Sequence, residues 1–231
     1  MAPPAFERAV SYGLYQGRIR EAIHALKYDR LHPAARVLGQ MLAEAIAQLA
    51  GEAPAAMLVV PVPLHPSKYA QRGFNQARSL AVEALGFLRK SHPEWRLTLA
   101  DSTLMRLRAT ESQAGLTPRQ RRQNLRGAFS VSDSSQVAGQ HILLIDDILT
   151  TGATARAAEQ TLVKAGAASV WVATLARAQR ISGVGPEFVS HDNYGEEGAD
   201  TGPAAASDAS GLAPGFTNAA DSSNLQGQTS F

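Results

Sequence analysis

The chain contains no cysteine. That excludes disulfides, thiolate metal sites and cysteine nucleophiles together. Aromatic residues make up only 6% of it, and no stretch interleaves them with basic residues as a single-strand nucleic-acid platform requires. No helix-turn-helix or zinc-finger pattern is visible either. Long apolar runs are also missing: none reaches the roughly eighteen residues that a membrane-spanning helix needs. The N-terminal region has scattered charges and no uninterrupted apolar segment of the secretory kind, so a cytoplasmic location is expected. Finally, residues 182–231 hold seven acids and neither lysine nor arginine.

The positive charge lacking there is concentrated before it. Residues 1–181 carry all 22 Lys and Arg against 13 acids, a net +9. A basic body suits an anionic partner, either a phosphorylated small molecule or nucleic acid, and the count alone does not choose. With 231 residues and 45% apolar content, the chain is large enough for a real core.

Residues 18–50 have helical periodicity in two stripes. Ile19, Ile23 and Leu26 form one; Val37, Leu38, Met41, Leu42, Ala45, Ile46 and Leu49 form the other, with Pro33 expected to open the second helix. Met57 to Val60 read as a buried strand, which the prolines at 61, 63 and 66 forbid from continuing. "NQARSLAVEALGFLRK" returns to helical spacing, "RLTLADSTLMRLR" is strand-like in places, and Thr117–Pro118 has the form of a helix start. "GAFSVS" suggests a short strand. A strand over 141–146, a helix over about 153–165 stopped by Gly166, and the strand "SVWVATLARA" then make a βαβ unit and imply a parallel sheet. The expected organisation is an N-terminal helical segment (1–55), an α/β core (56–181) and a low-complexity acidic tail (182–231) with too little apolar content to order itself.

The chemistry is concentrated in "HILLIDDILTTGATARAAEQ", residues 141–160. An apolar strand runs into Asp146 and Asp147. A loop follows with hydroxyls at Thr150, Thr151 and Thr154, a glycine at 152, and Ala153 opening the helix. The first N–H groups of a helix are unpaired and partly positive, so a loop of this kind is suited to a phosphate. No lysine lies near it, which argues against a nucleoside-triphosphate P-loop. Carboxylates beside it suit the vicinal hydroxyls of a ribose, or the waters of a Mg²⁺ held mainly by phosphate oxygens. Sugar and 5′-phosphate together describe a phosphoribosyl group.

"ILLIDDILTTGAT" resembles the phosphoribosyl-pyrophosphate (PRPP) binding motif of type I phosphoribosyltransferases. "VVPVPLHPSKYAQRGFNQARSLA" (59–81) and "LMRLRATESQAGLTPRQRRQNLRGAF" (104–129) further resemble the ComF family, bacterial proteins linked to competence and DNA uptake. The likeness spans roughly residues 14–178. It implies a Rossmann-like parallel α/β sheet flanked by helices, with residues 104–129 as a small hood loop closing over pyrophosphate. It places Lys68 and Arg72 in a loop near pyrophosphate, joined by Arg106, Arg108, Gln113, Arg121 and Arg122, with Asn124 fixing the hood's own backbone. The implied activity is that of a pentosyltransferase: transfer of phosphoribosyl to an unidentified nitrogen acceptor with release of pyrophosphate. Asp146 and Asp147 would be the catalytic pair, Mg²⁺ would arrive with PRPP, and no metal site is expected from protein ligands alone. Many ComF relatives carry a cysteine-rich zinc module; without cysteine, no zinc function carries over. The alternative is a non-catalytic PRPP-fold regulator or DNA-uptake component, with single-stranded DNA or competence machinery as partner. His65, beside the proposed pyrophosphate loop, reads equally as a ligand contact or as a residue that structures the loop.

Overall fold

A computed structural model describes residues 6–28, 32–108, 117, 120 and 124–178. Expectations for Gln113, Arg121, Arg122 and the acidic tail lie outside the described residues. The elements run β1 (Ala9–Leu14), α1 (Gly17–Tyr28), α2 (His32–Ala47), β2 (Ala56–Pro61), α3 (Pro66–Arg72), α4 (Gln76–Ser91), β3 (Arg96–Leu99), β4 (Leu104–Arg106), β5 (Phe129–Val131), β6 (His141–Leu149), α5 (Ala153–Lys164) and β7 (Ser169–Arg177).

Five strands form one sheet in the order β1-β7-β6-β2-β3, and every pairing in it is parallel. The central position of β6 explains its composition. Ile142, Leu143, Leu144 and Ile145 are all 0% exposed, the continuous apolar run expected where both faces of a strand are covered. Leu143 and Ile145 pack with α1, α2 and α4 through Ile23, Leu42, Ile46, Leu80 and Leu88. Ile142 and Leu144 turn to the other face, against Ala155, Ala158 and Leu162 of α5 and against Leu104 and Phe129 of the β4–β5 ribbon. The sheet therefore has a core on each side, and β6 belongs to both.

Residues 9–14 form a strand that periodicity did not signal, paired with β7 in register Ala9↔Val172 to Leu14↔Arg177. The expected helical segment 1–55 thus also contributes a strand to the central sheet. Residues 96–108, expected as one extended stretch, divide into β3 and β4 with a turn between them. Strand β6 runs to Leu149, three residues past the expected end, because its parallel pairing continues through Ile148↔Ala176 and Leu149↔Arg177. Asp147, expected just beyond the strand, consequently lies within it together with Asp146.

Helices α2 and α4 approach closely at Gly39, where an added Cβ would lie 2.2 Å from Glu83 Cβ. Asn75 starts α4: its Oδ1 accepts from the Ala77 N–H at 3.0 Å while its Nδ2 donates to the Val62 carbonyl at 3.0 Å. One side chain thus supplies a helix cap and ties that cap to the exit of β2. Thr117 acts as the expected cap. Its Oγ1 accepts from the Gln120 N–H, and the Gln120 side chain accepts from the Thr117 N–H at 2.8 Å, a reciprocal capping box. Among the described residues no helix is long and apolar enough to cross a membrane.

Candidate phosphoribosyl site

The C-terminal end of β6, the following loop and the first turn of α5 surround a small cleft of about 10 Å³, lined by Asp146, Ile148, Thr150, Gly152, Thr154 and Thr174. In a parallel sheet the carboxyl ends of central strands are where ligands find unpaired backbone and open space. Gly152 sits at φ 72°, in the left-handed region, and precedes α5 with no side-chain cap. The tight turn therefore depends on glycine, and the first turn of the helix opens on the cleft. Thr151 Oγ1 lies 3.4 Å from the Ala153 N–H.

Asp146 and Asp147 are joined locally: the Asp147 N–H donates to Asp146 Oδ1 at 2.9 Å. Their environments nonetheless differ. Asp146 lines the cleft. Asp147 is 6% exposed, and its Oδ2 lies 2.9 Å from Lys27 Nζ at the end of α1. Burial and the neighbouring Asp147 charge push the Asp146 carboxyl well above the usual carboxylate range. Burial acts on Asp147 in the same sense, but the Lys27 ammonium beside it, with Asp146 and Arg72 adding to it, holds that carboxyl below its ordinary value. For Lys27, burial favours the neutral amine, yet Asp147 outweighs it and raises the ammonium's pKa.

Two further cations reach the acids from separate elements. Arg72, the last residue of α3, acts on Asp147 and donates to Gln76 Oε1 at 3.3 Å. Arg106 of β4 lies over the Phe129 ring, 5.6 Å from its centroid. Burial lowers its pKa while the charge of Asp146 opposes that shift. The acid pair thus sits among Lys27, Arg72 and Arg106, an arrangement able to receive a polyanion beside a sugar.

Residues 72–191 match the family described as phosphoribosyl transferase domain. Over 178 residues the chain is 34% identical to the DNA utilization protein YhgH of Salmonella typhi, covering 76% of this chain and 74% of that relative. It is 29% identical over 178 residues to Competence protein F of Haemophilus influenzae, covering 76% and 75% respectively. This chain belongs to the ComF family. Its fold is that of the type I phosphoribosyltransferases. Competence protein ComFC of Streptococcus pneumoniae, also similar, is 36% identical over 118 residues, 51% of this ComF chain and 47% of that one. Among solved structures, the glutamine PRPP amidotransferase of B. subtilis complexed with ADP and GMP aligns with a TM-score of 0.36 at 24% identity, over 61% of this chain and 26% of that one. The ComF chain therefore spans about a quarter of that enzyme's length.

In this ComF chain the structure brings together Asp146, Thr150, Gly152, Ala153 and Thr154 around one cleft. Arg72 and Arg106 act on the acids from outside it. Lys68 and Arg72, expected in a loop, lie instead in α3, a short helix none of whose residues is buried. Local capping rather than burial maintains it: His65 Nδ1 accepts from the Ser67 N–H at 3.3 Å, and the Gly73 N–H, at φ 79°, closes the other end on the Tyr69 carbonyl. His65 thus structures this segment. Arg108 is exposed and donates to the Arg126 carbonyl at 3.2 Å, bracing the hood's own backbone. Sequence reasoning did not single out Lys27, which no spacing rule connects to a residue so distant in the chain. It also passed over Arg156, whose buried Nε would lie 3.9 Å from a Cβ at Gly152. The i+4 spacing on α5 was the available signal for that one.

Proposed function

We propose that this chain binds PRPP with Mg²⁺ and transfers its phosphoribosyl group to a nitrogen acceptor, releasing pyrophosphate. The observation that carries the reading is the shared cleft: Asp146 lines one space with Thr150, Gly152, Ala153 and Thr154 at the start of α5. The 5′-phosphate is assigned to Thr150, Thr151, Gly152, Ala153 and Thr154, where hydroxyls and helix N–H groups meet it. The ribose hydroxyls are assigned to the acid pair, with Asp146 the member facing the cleft. Arg72 and Arg106, with Lys68, Arg108 and the hood residues Gln113, Arg121 and Arg122, are assigned to the pyrophosphate side.

Among the described residues no three His, Asp or Glu gather into a metal site, and Asp147 already faces Lys27. A Mg²⁺ arriving with the ligand would be held mainly by phosphate oxygens and water, and Asp146, the acid that lines the cleft, would be the carboxylate available to it. When bound, that ion neutralises charge on the leaving pyrophosphate. The reaction breaks the bond from C1 to the pyrophosphate oxygen and forms one from C1 to the acceptor nitrogen, which gives up a proton. The chain's own contribution is to orient the sugar, to hold cationic charge where negative charge develops, and to exclude water as the hood closes.

A second reading is favoured by the relatives' names, DNA utilization protein and competence protein. In it the same site serves a regulator or DNA-uptake component without turnover. Calorimetry with PRPP and Mg²⁺, followed by pyrophosphate-release assays across nucleobases and amines, separates the two. Saturable binding with release supports transfer, and binding without release supports the regulator. Absence of binding at millimolar PRPP rejects the site. Salt-dependent single-stranded DNA binding that survives the Asp146→Asn, Asp147→Asn double substitution favours the uptake component.

A further inference from the structure

Among the described residues, the ion pair most withdrawn from solvent joins the last turn of α1 to the second acid of the site. Lys27 Nζ lies 2.9 Å from Asp147 Oδ2, with side-chain exposures of 19% and 8%. Stability explains this poorly, because a buried ion pair of this kind is often no better than two packed apolar side chains. Lys27 interrupts an otherwise apolar inner face of α1, where Ile23 and Leu26 are 0% and 1% exposed. A methionine or leucine would satisfy packing at that position.

The contacts lead toward the cleft. The Lys27 ammonium holds the Asp147 carboxylate, and the Asp147 N–H holds the Asp146 carboxylate. Asp146 in turn lines the cleft. Asp146 and Arg72 are the other charged groups felt at this pair. An unpaired Asp147 carboxylate would be costly where it stands. It would also leave uncompensated negative charge next to Asp146, the acid that lines the cleft, where a ligand carrying several phosphate charges is proposed to bind.

We infer that Lys27 is a positioning residue of the phosphoribosyl site, acting on the ligand only through Asp147. This rests on the proposed reading of the cleft as a PRPP site. It assigns to the N-terminal helix a role in ligand affinity, in a region of the chain that precedes the matched domain at residue 72.

The test is a double-mutant cycle read by calorimetry with PRPP and Mg²⁺ on the full chain, using wild type, Lys27→Met, Asp147→Asn and the double variant. Lys27→Met is expected to weaken PRPP at least tenfold in the wild-type background and less than threefold in the Asp147→Asn background. Lys27→Arg should recover most of the loss. Inorganic phosphate, a probe of the Thr150–Thr154 loop alone, should bind wild type and Lys27→Met alike, an outcome that a general loss of structure would not give. Should Lys27→Met be too unstable to assay, Lys27→Gln, which removes the charge but keeps a hydrogen-bond donor toward Asp147, takes its place in the same cycle with the same outcomes. Unchanged PRPP affinity in Lys27→Met overturns the inference, as does an equal loss in both backgrounds, which would mean direct action on the ligand. Wild-type chain that binds no PRPP rejects the site itself and the inference with it, an outcome distinguishable before any variant is made.

Discussion

Lys27 Nζ of α1 and Asp147 Oδ2 of β6 lie 2.9 Å apart, which ties the N-terminal helix to the strand that carries the phosphoribosyl motif. Removing either partner leaves the other charge buried, and Lys27→Met is expected to cost about 3–5 kcal/mol of folding free energy. The pH dependence has two limbs. The pKa of Lys27 is raised in the folded chain, so its contribution is complete below 10.5, its ordinary value, and is lost as pH rises through the folded value. That of Asp147 is lowered, so its contribution is complete above 3.8, its ordinary value, and is lost as pH falls through the folded value. Denaturant unfolding from acid to alkaline pH should show the alkaline loss in wild type and not in Lys27→Met.

Asp146 behaves in the opposite sense. Its raised carboxyl binds a proton more tightly in the folded chain, so ionisation above 3.8, its ordinary value, works against folding. Asp146→Asn keeps an acceptor for the Asp147 N–H and removes the buried like charge. The variant is expected to unfold at higher denaturant concentration than wild type at neutral pH. PRPP affinity should nonetheless fall at least tenfold, about 1.4 kcal/mol. A variant less stable than wild type would mean that the charge on Asp146 is compensated within the fold.

Two glycines should respond to alanine for different reasons. At Gly152 the nearest atoms to an added Cβ are 3.9 Å away, so space is available and the cost is the φ of 72°, about 1–2 kcal/mol. At Gly39 helix propensity favours alanine by about 1 kcal/mol. The Cβ would nevertheless meet Glu83 Cβ at 2.2 Å and force α2 and α4 apart. Gly39→Ala is therefore expected to be the more damaging in thermal unfolding, and Gly152→Ala the more damaging to phosphate affinity.

Asn75 uses both ends of its amide, one on the α4 N-terminus and one on the Val62 carbonyl. Asn75→Ala should cost about 1–3 kcal/mol, combining a lost cap with an unsatisfied carbonyl. Asn75→Asp keeps the cap acceptor but loses the donor, so chemical denaturation should place it between wild type and alanine. Equal losses in the two variants would show that the contact with Val62, and not the cap, dominates.

The parts legible in the sequence were those written in neighbouring residues. The apolar run of β6, the threonine–glycine loop and the alanine-rich α5 follow one another directly, so local chemistry identified a strand, a tight glycine loop and a helix. Thr117 was recognisable as a cap because a capping box spans only a few residues. Strand β1 was not legible: AVSYGL alternates too weakly to signal a strand, and its state is settled by pairing with β7. Helix α3 escaped because no residue of it is buried, leaving no apolar face to read.

The sequence by itself determined that a motif resembling that of the phosphoribosyltransferases is present, because its glycine, hydroxyls and helix start stand in immediate succession. Tertiary structure alone decided that the two adjacent acids are not equivalent. Asp146 lines the cleft and Asp147 meets Lys27 from a distant helix. The reason is physical: the charge state of a buried carboxylate is set by the groups packed around it, and those arrive from wherever the chain folds back, independent of spacing along it.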